Sequence, residues 1–141
     1  MVMACSYSSI AFCLTPDEIE KRTAETLDKV GLGSFAHRPP HHLSAGQKRC
    51  AAIATVLSMD PDIITADEPD TSLDPRTRNS LIELLASLRQ TLVIATCNMN
   101  FAARLCQRAI LIDRGRIIAD GDTAKIIGDA ELMQRHGLET A

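Results

Sequence analysis

The stretch Asp62-Ile63-Ile64-Thr65-Ala66-Asp67-Glu68-Pro69 decides how the rest of the chain is read. Pro61 bounds it on one side and two adjacent carboxylates on the other. The apolar run from Asp62 to Ala66 therefore reads as a short buried strand that delivers Asp67 and Glu68 into a crevice. Downstream, Asp74 and Pro75 open a helix in which Leu81, Leu84, Leu85 and Leu88 fall at i, i+3, i+4 and i+7, one apolar stripe that belongs in a core. Thr91 to Ala95 is a second apolar run, and strand, helix, strand in this order makes a parallel βαβ unit. Ligands of open parallel sheets lie beyond the carboxyl ends of the strands, where Asp67, Glu68, Thr96 and Cys97 fall.

Upstream, Thr15, Pro16 and Glu18 have capping-box spacing, and Ile19, Leu27 and Val30 recur at helical intervals, so residues 16–30 are expected to form a helix ended by Gly31. Gly31 to Leu43, with Pro39-Pro40, reads as a connecting loop. A second helix starts at Ser44, with Gln47 three residues on, shows a narrow face of Ala51, Ala52 and Ala54, and stops at Asp60-Pro61. Beyond the second strand a helix is expected from Met99 to Cys106. A hairpin follows with strands Ala109 to Ile112 and Arg116 to Ala119 around Asp113-Arg114-Gly115, then short helices at 123–128 and 130–136.

Composition limits the function classes. With 141 residues, 45% of them apolar and only 3% aromatic, the chain can bury one aliphatic core. A net charge of -3 without long charged runs argues against nucleic acid as a partner. Cysteines at 5, 13, 50, 97 and 106 are odd in number and contain no C-x-x-C pair, which indicates neither a disulfide framework nor a zinc site and points to the cytoplasm. No stretch approaches the roughly 18 apolar residues that span a bilayer, so a membrane role would be exercised through a partner. The first fourteen residues lack the Lys or Arg of a signal peptide and read as a ragged beginning.

Two clusters carry chemistry. In phosphoryl transfer to water, one carboxylate can hold Mg²⁺ through its water shell while its neighbour orients and deprotonates the attacking water, which suits Asp67-Glu68. Leu43-Ser44-Ala45-Gly46-Gln47 presents a hydroxyl and free backbone N–H groups at the positive end of a helix dipole, an anion site. Taken singly, each has a plainer reading: an acidic loop after a strand, and an ordinary N-cap.

Together, in this order, with Ser72-Leu73-Asp74 after the strand, they resemble the nucleotide-binding subunits of ABC transporters from Thr15 to the end of the hairpin. The resemblance implies an α/β fold, a partial P-loop NTPase: a helical signature subdomain over 15–60, a parallel βαβ core with a hairpin over 61–121, and C-terminal helices over 122–141, all one incomplete domain. It implies that Ser44, Ala45, Gly46 and Gln47 form the signature that contacts the γ-phosphate of ATP held mainly by an opposing subunit. Asp67 would stand on the Mg²⁺ side, Glu68 would be the general base, and Ser72, Leu73 and Asp74 would be the loop linking the two sites of a dimer. Pro39-Pro40-His41-His42 and the tail Gly121 to Leu138 look like cobalt/nickel-type energy-coupling-factor ATPases. That implies import of a metal ion or vitamin by two ATPase subunits, a homodimer or heterodimer, driving an integral membrane subunit from the inner face of the cell membrane.

The chain also departs from that pattern. No G-x-x-x-x-G-K-[ST] phosphate loop occurs in it, so the main source of ATP affinity in such proteins is missing. Thr96-Cys97-Asn98 replaces Thr-His-Asp, whose histidine touches the γ-phosphate, and a thiol is a poor substitute for an imidazole N–H. Asp70 stands where threonine is usual, and Ala45 replaces the first signature glycine. ATP and Mg²⁺ are therefore expected only in a composite site with an intact partner, and independent hydrolysis is not expected. A truncated ATPase of this kind, a non-catalytic interaction module and a degenerate remnant all fit these residues. His41-His42 as a metal pair and Cys97 as a nucleophile are weaker readings, since neither has the further ligands or the base its chemistry needs. Missing neighbour strands would leave an unpaired edge and apolar surface, and hence self-association.

Overall fold

Thr15 and Pro16 start the first helix as their chemistry requires. The structure, a computed structural model, describes residues 14–138; apart from Leu14, the expected ragged beginning lies outside the described residues. The chain divides into two compact units, residues 14–65 with Ser72–Val93, and Ala66–Thr71 with residues 94–138.

In the first unit, helix α1 (Pro16–Lys29) carries a complete capping box: Thr15 Oγ1 accepts the Glu18 N–H at 3.4 Å, and Glu18 Oε2 accepts the Thr15 N–H at 2.7 Å. Its buried positions are Thr23 and Thr26, whereas Ile19 and Leu27 are only half-buried. Threonine can occupy an interior helix face when its hydroxyl turns back on the helix, as Thr26 does by donating to the Arg22 carbonyl at 2.6 Å. The expected loop from Gly31 to Leu43 contains two short 3₁₀ turns, Gly33–Phe35 and Pro40–His42.

Helix α2 spans Ala45–Leu57, with Ser44 as its cap rather than its first residue. Its Ala54 is completely buried and closes the core with Val30 and Leu32, flanked by Leu27, Phe35, Cys50, Leu57 and Leu84. The alanine face is narrower than expected: Ala51 is half-buried beside Ala54, but Ala52, one step of about 100° away, is exposed. Helix α3 (Pro75–Ala86) buries Leu81, Ile82 and Leu85 and leaves Leu84 half-buried, while Leu88, expected on the same stripe, lies beyond the Ser87 cap.

Strands β1 (Ile63–Asp67) and β2 (Thr91–Ala95) form a two-stranded sheet. The Asp62 carbonyl accepts the Thr91 N–H at 2.9 Å, and the Glu68 N–H donates to the Ala95 carbonyl at 2.8 Å. The pairing thus advances in the same direction along both strands, which makes them parallel. β1 lies one residue later than the sequence suggests, because these ladder bonds carry the pairing past Ala66, so Asp67 is its last residue.

In the second unit, helix α4 (Met99–Leu105) leads into strands β3 (Arg108–Asp113) and β4 (Arg116–Asp122), antiparallel with a register irregularity at Leu111/Ile112. Arg114 (φ 47°) and Gly115 (φ 74°) both adopt the left-handed conformation that a two-residue hairpin turn demands. The hairpin is longer than expected, since Arg108 pairs with Asp120 through two 2.8 Å bonds near its open end. Helices α5 (Thr123–Gly128) and α6 (Ala130–Arg135) follow, with Phe101, Leu111, Ile127 and Met133 as buried apolar side chains. His136 Nδ1 lies 2.9 Å from Asp113 Oδ2, and this hydrogen bond holds the Asp113 carboxyl below the usual range.

Large apolar side chains also face outward: Ile63 and Val93 on the parallel strands, and Ile110, Ile112 and Ile117 on the hairpin. Ile112 and Ile117 are direct cross-strand partners and are 63% and 67% exposed. Such a strand surface promotes association between chains. Light scattering is expected to show concentration-dependent self-association that Ile112→Lys reduces; a well-behaved wild-type monomer at high concentration would contradict this.

Candidate functional site

The turn after β1 is built by two residues in uncommon backbone conformations. Glu68 (φ 44°) and Ser72 (φ 64°) are both left-handed, a conformation that costs a non-glycine residue free energy and persists only where its surroundings impose it. Asp67 stands exposed at the strand end. The Glu68 carboxylate is half-wrapped by donors: Oε1 accepts the Cys97 N–H at 2.9 Å and Oε2 the Thr71 hydroxyl at 3.0 Å. Partial burial pushes this carboxyl up, but the Thr71 and Cys97 hydrogen bonds outweigh it and hold the group below its usual range, so it is ionised at neutral pH. The Cys97 thiol is pushed up by its hydrogen bond to Glu68 and by that residue's charge.

Next to this pair, Asp70 is 3% exposed and accepts the Thr96 hydroxyl at 3.2 Å and the Asn98 side-chain amide at 2.6 Å. Asn98 also caps α4, its Oδ1 accepting the Phe101 N–H at 3.1 Å. The sequence marked Asp70 only as a departure from a family pattern. Its burial carries no local signal, because an acidic residue in a turn is ordinarily exposed.

In the first unit, Ser44 caps α2 with a reciprocal pair of bonds: its Oγ accepts the Gln47 N–H at 3.2 Å, and Gln47 Oε1 accepts the Ser44 N–H at 2.9 Å. Ala45 is exposed at the first helical position. Gly46 is buried against α3, where a Cβ would collide with the Thr77 γ-methyl. Thr77 in turn donates its hydroxyl to Asp74, whose other oxygen accepts the Arg76 and Thr77 N–H groups at 3.0 and 3.1 Å. These bonds, led by that from the Thr77 hydroxyl, hold the Asp74 carboxyl below its usual range. Leu73 is buried, its carbonyl accepting from Arg78 at 3.3 Å, while Ser72 is exposed. The structure thus joins the Ser44 to Gln47 segment to the Ser72 to Asp74 segment through the Gly46 and Thr77 contact, and joins Glu68 to Cys97. The rings of His41 and His42 meet edge to face at 4.3 Å, and among the described residues no group of three His, Cys, Asp or Glu side chains is placed to hold a metal by itself.

A family model described as "AAA domain, putative AbiEii toxin, Type IV TA system" matches residues 16–101. A Streptomyces avermitilis protein named "Putative ABC transporter ATP-binding protein" is 43% identical over 95% of this chain and 51% of its own length. The chain belongs to this AAA-domain family, and it is similar to ABC transporter ATP-binding proteins over most of its length. The energy-coupling factor transporter ATP-binding protein EcfA of Methanothermobacter thermautotrophicus is a further relative, 40% identical over 89% of this chain and 41% of its own length. The solved structure of CbiO1 from Clostridium perfringens, described as part of the ABC transporter complex CbiONQ, superposes with a TM-score of 0.81 at 31% identity, covering 93% of this chain and 54% of CbiO1. The chain spans about half the length of the curated relatives it matches. Among the described residues no helix is long and apolar enough to cross a membrane.

Gly46→Ala is expected to cost about 1–3 kcal/mol by overpacking against Thr77, and Ser44→Ala about 1 kcal/mol by loss of the cap. Urea denaturation midpoints measure both.

Proposed function

We propose that this chain supplies the C-terminal portion of an ABC transporter ATP-binding subunit and completes an ATP site only together with an intact partner ATPase. The observation that carries the reading is Glu68, an ionised carboxylate presented at the carboxyl end of β1 and oriented by the Cys97 N–H and the Thr71 hydroxyl. An ionised carboxylate held in this way can orient and deprotonate a water, the task of a general base. Ser44 Oγ accepts from Gln47 and still has its own proton to donate to a phosphate oxygen, at the positive end of a 13-residue helix.

Asp67 suits Mg²⁺: a single exposed carboxylate is the hard oxygen donor that this ion takes alongside nucleotide phosphates. When bound, Mg²⁺ would neutralise charge on those phosphates. Ser72, Leu73 and Asp74 would face the partner's half of the site. The similarity to EcfA and CbiO1, together with Pro39-Pro40-His41-His42 and the tail from Gly121, supports a place in an energy-coupling-factor transporter for cobalt, nickel or a vitamin, with an integral membrane subunit as partner at the cytoplasmic face of the cell membrane. A second reading, a non-catalytic regulatory module, is favoured by Cys97, a thiol where the family places an imidazole.

Mg-ATP titrations separate these. The isolated chain is expected to bind no Mg-ATP tightly, and binding is expected to appear with an intact ABC ATP-binding subunit and to weaken with Ser44→Ala. Glu68→Gln is expected to leave that binding in place and slow hydrolysis by about 10²-fold or more; turnover insensitive to this change would favour the regulatory module. Tight binding by the isolated chain would contradict the composite site.

A further inference from the structure

Asp70 is the one buried carboxylate among the described residues, and what it holds is specific. Its two oxygens take the side chains on either side of Cys97: Oδ1 accepts the Thr96 hydroxyl at 3.2 Å and Oδ2 the Asn98 amide at 2.6 Å. Between those two anchors the Cys97 N–H donates to Glu68 Oε1 at 2.9 Å. Thr96 Oγ1 also accepts the Asn98 N–H at 3.0 Å, which tightens the same turn. A buried carboxylate is tolerated only when donors satisfy it, and a partner that removes a donor or adds a like charge is costly.

We propose that Asp70 is a positioning residue that, as a matched pair with Asn98, fixes the turn at Cys97 so that its backbone N–H stays aimed at the Glu68 carboxylate. The two members of this pair are the same two positions at which the sequence departs from threonine and aspartate. The pair keeps a single carboxylate between positions 70 and 98, set against a neutral amide. Either arrangement sets one carboxylate against a neutral donor, whereas a mixed state would set aspartate against aspartate at hydrogen-bond distance. The inference rests on the reading of Glu68 as the base only for what the positioning serves.

The test is residue-resolved amide hydrogen exchange on the full chain, following Cys97 with Ala54 of α2 as the reference. Asp70→Ala is expected to lower Cys97 protection by about tenfold or more while Ala54 keeps its own. Asn98→Asp keeps the helix cap, since aspartate caps as well as asparagine, and is expected to lower Cys97 protection likewise. The double exchange Asp70→Thr with Asn98→Asp is expected to bring it back to within about threefold of the wild type. Cys97 protection unchanged within about twofold in Asp70→Ala, or a double exchange no better than Asn98→Asp alone, would overturn the proposal. Should Asp70→Ala fail to fold, the comparison of Asn98→Asp with the double exchange decides. No nucleotide enters the measurement, so its outcome and that of the ATP titrations can fail separately.

Discussion

Parallel pairing of β1 and β2 brings two strand ends side by side, and polar groups leaving those ends meet one another. The ladder runs on past Asp67 as the Glu68 N–H reaches the Ala95 carbonyl, and the chain then turns through a left-handed residue. From that geometry the rest of the turn follows. The Glu68 side chain is carried back over the β2 end to meet the Cys97 N–H, and Asp70 is drawn into the interior, where Thr96 and Asn98 satisfy it. A buried or half-buried carboxylate is stable here because each oxygen meets a donor.

A different constraint governs the first unit, where small size matters more than charge. Gly46 lets α2 approach the start of α3 so closely that no Cβ fits, and Thr77, the residue it touches, is fastened to Asp74. The start of α2 and the residues just before α3 thus meet at Thr77, whose methyl lies against Gly46 and whose hydroxyl is bound to Asp74. Chemistry and stability overlap at Ser44 as well, whose oxygen serves the helix while its proton remains available.

Much of this was legible because it is local. The caps at Thr15, Ser44 and Asp74, the βαβ order and the turn at Arg114-Gly115 each follow from a few neighbouring residues, and the structure forms all of them. What escaped depends on distant partners. Thr23 and Thr26 take the buried face of α1 because of what packs over them, Ala52 turns outward although Ala51 and Ala54 do not, and the register irregularity at Leu111/Ile112 leaves no residue signature. At the candidate site the acidic pair at the strand end and the capping box at Ser44 and Gln47 were readable from spacing. The burial of Asp70 and the backbone conformations of Glu68 and Ser72 were not, since both are imposed by residues 25 or more positions away or by the turn as a whole.

Those backbone conformations restrict how this turn can change. At positions 68 and 72 glycine, asparagine or aspartate can adopt the required angles readily, whereas valine or isoleucine cannot without distorting the loop. Substitutions that survive there are thus sorted by shape before chemistry. A small polar residue at 68 can therefore remove the carboxylate and still keep the bend, so the outline of the loop does not depend on the acid it carries.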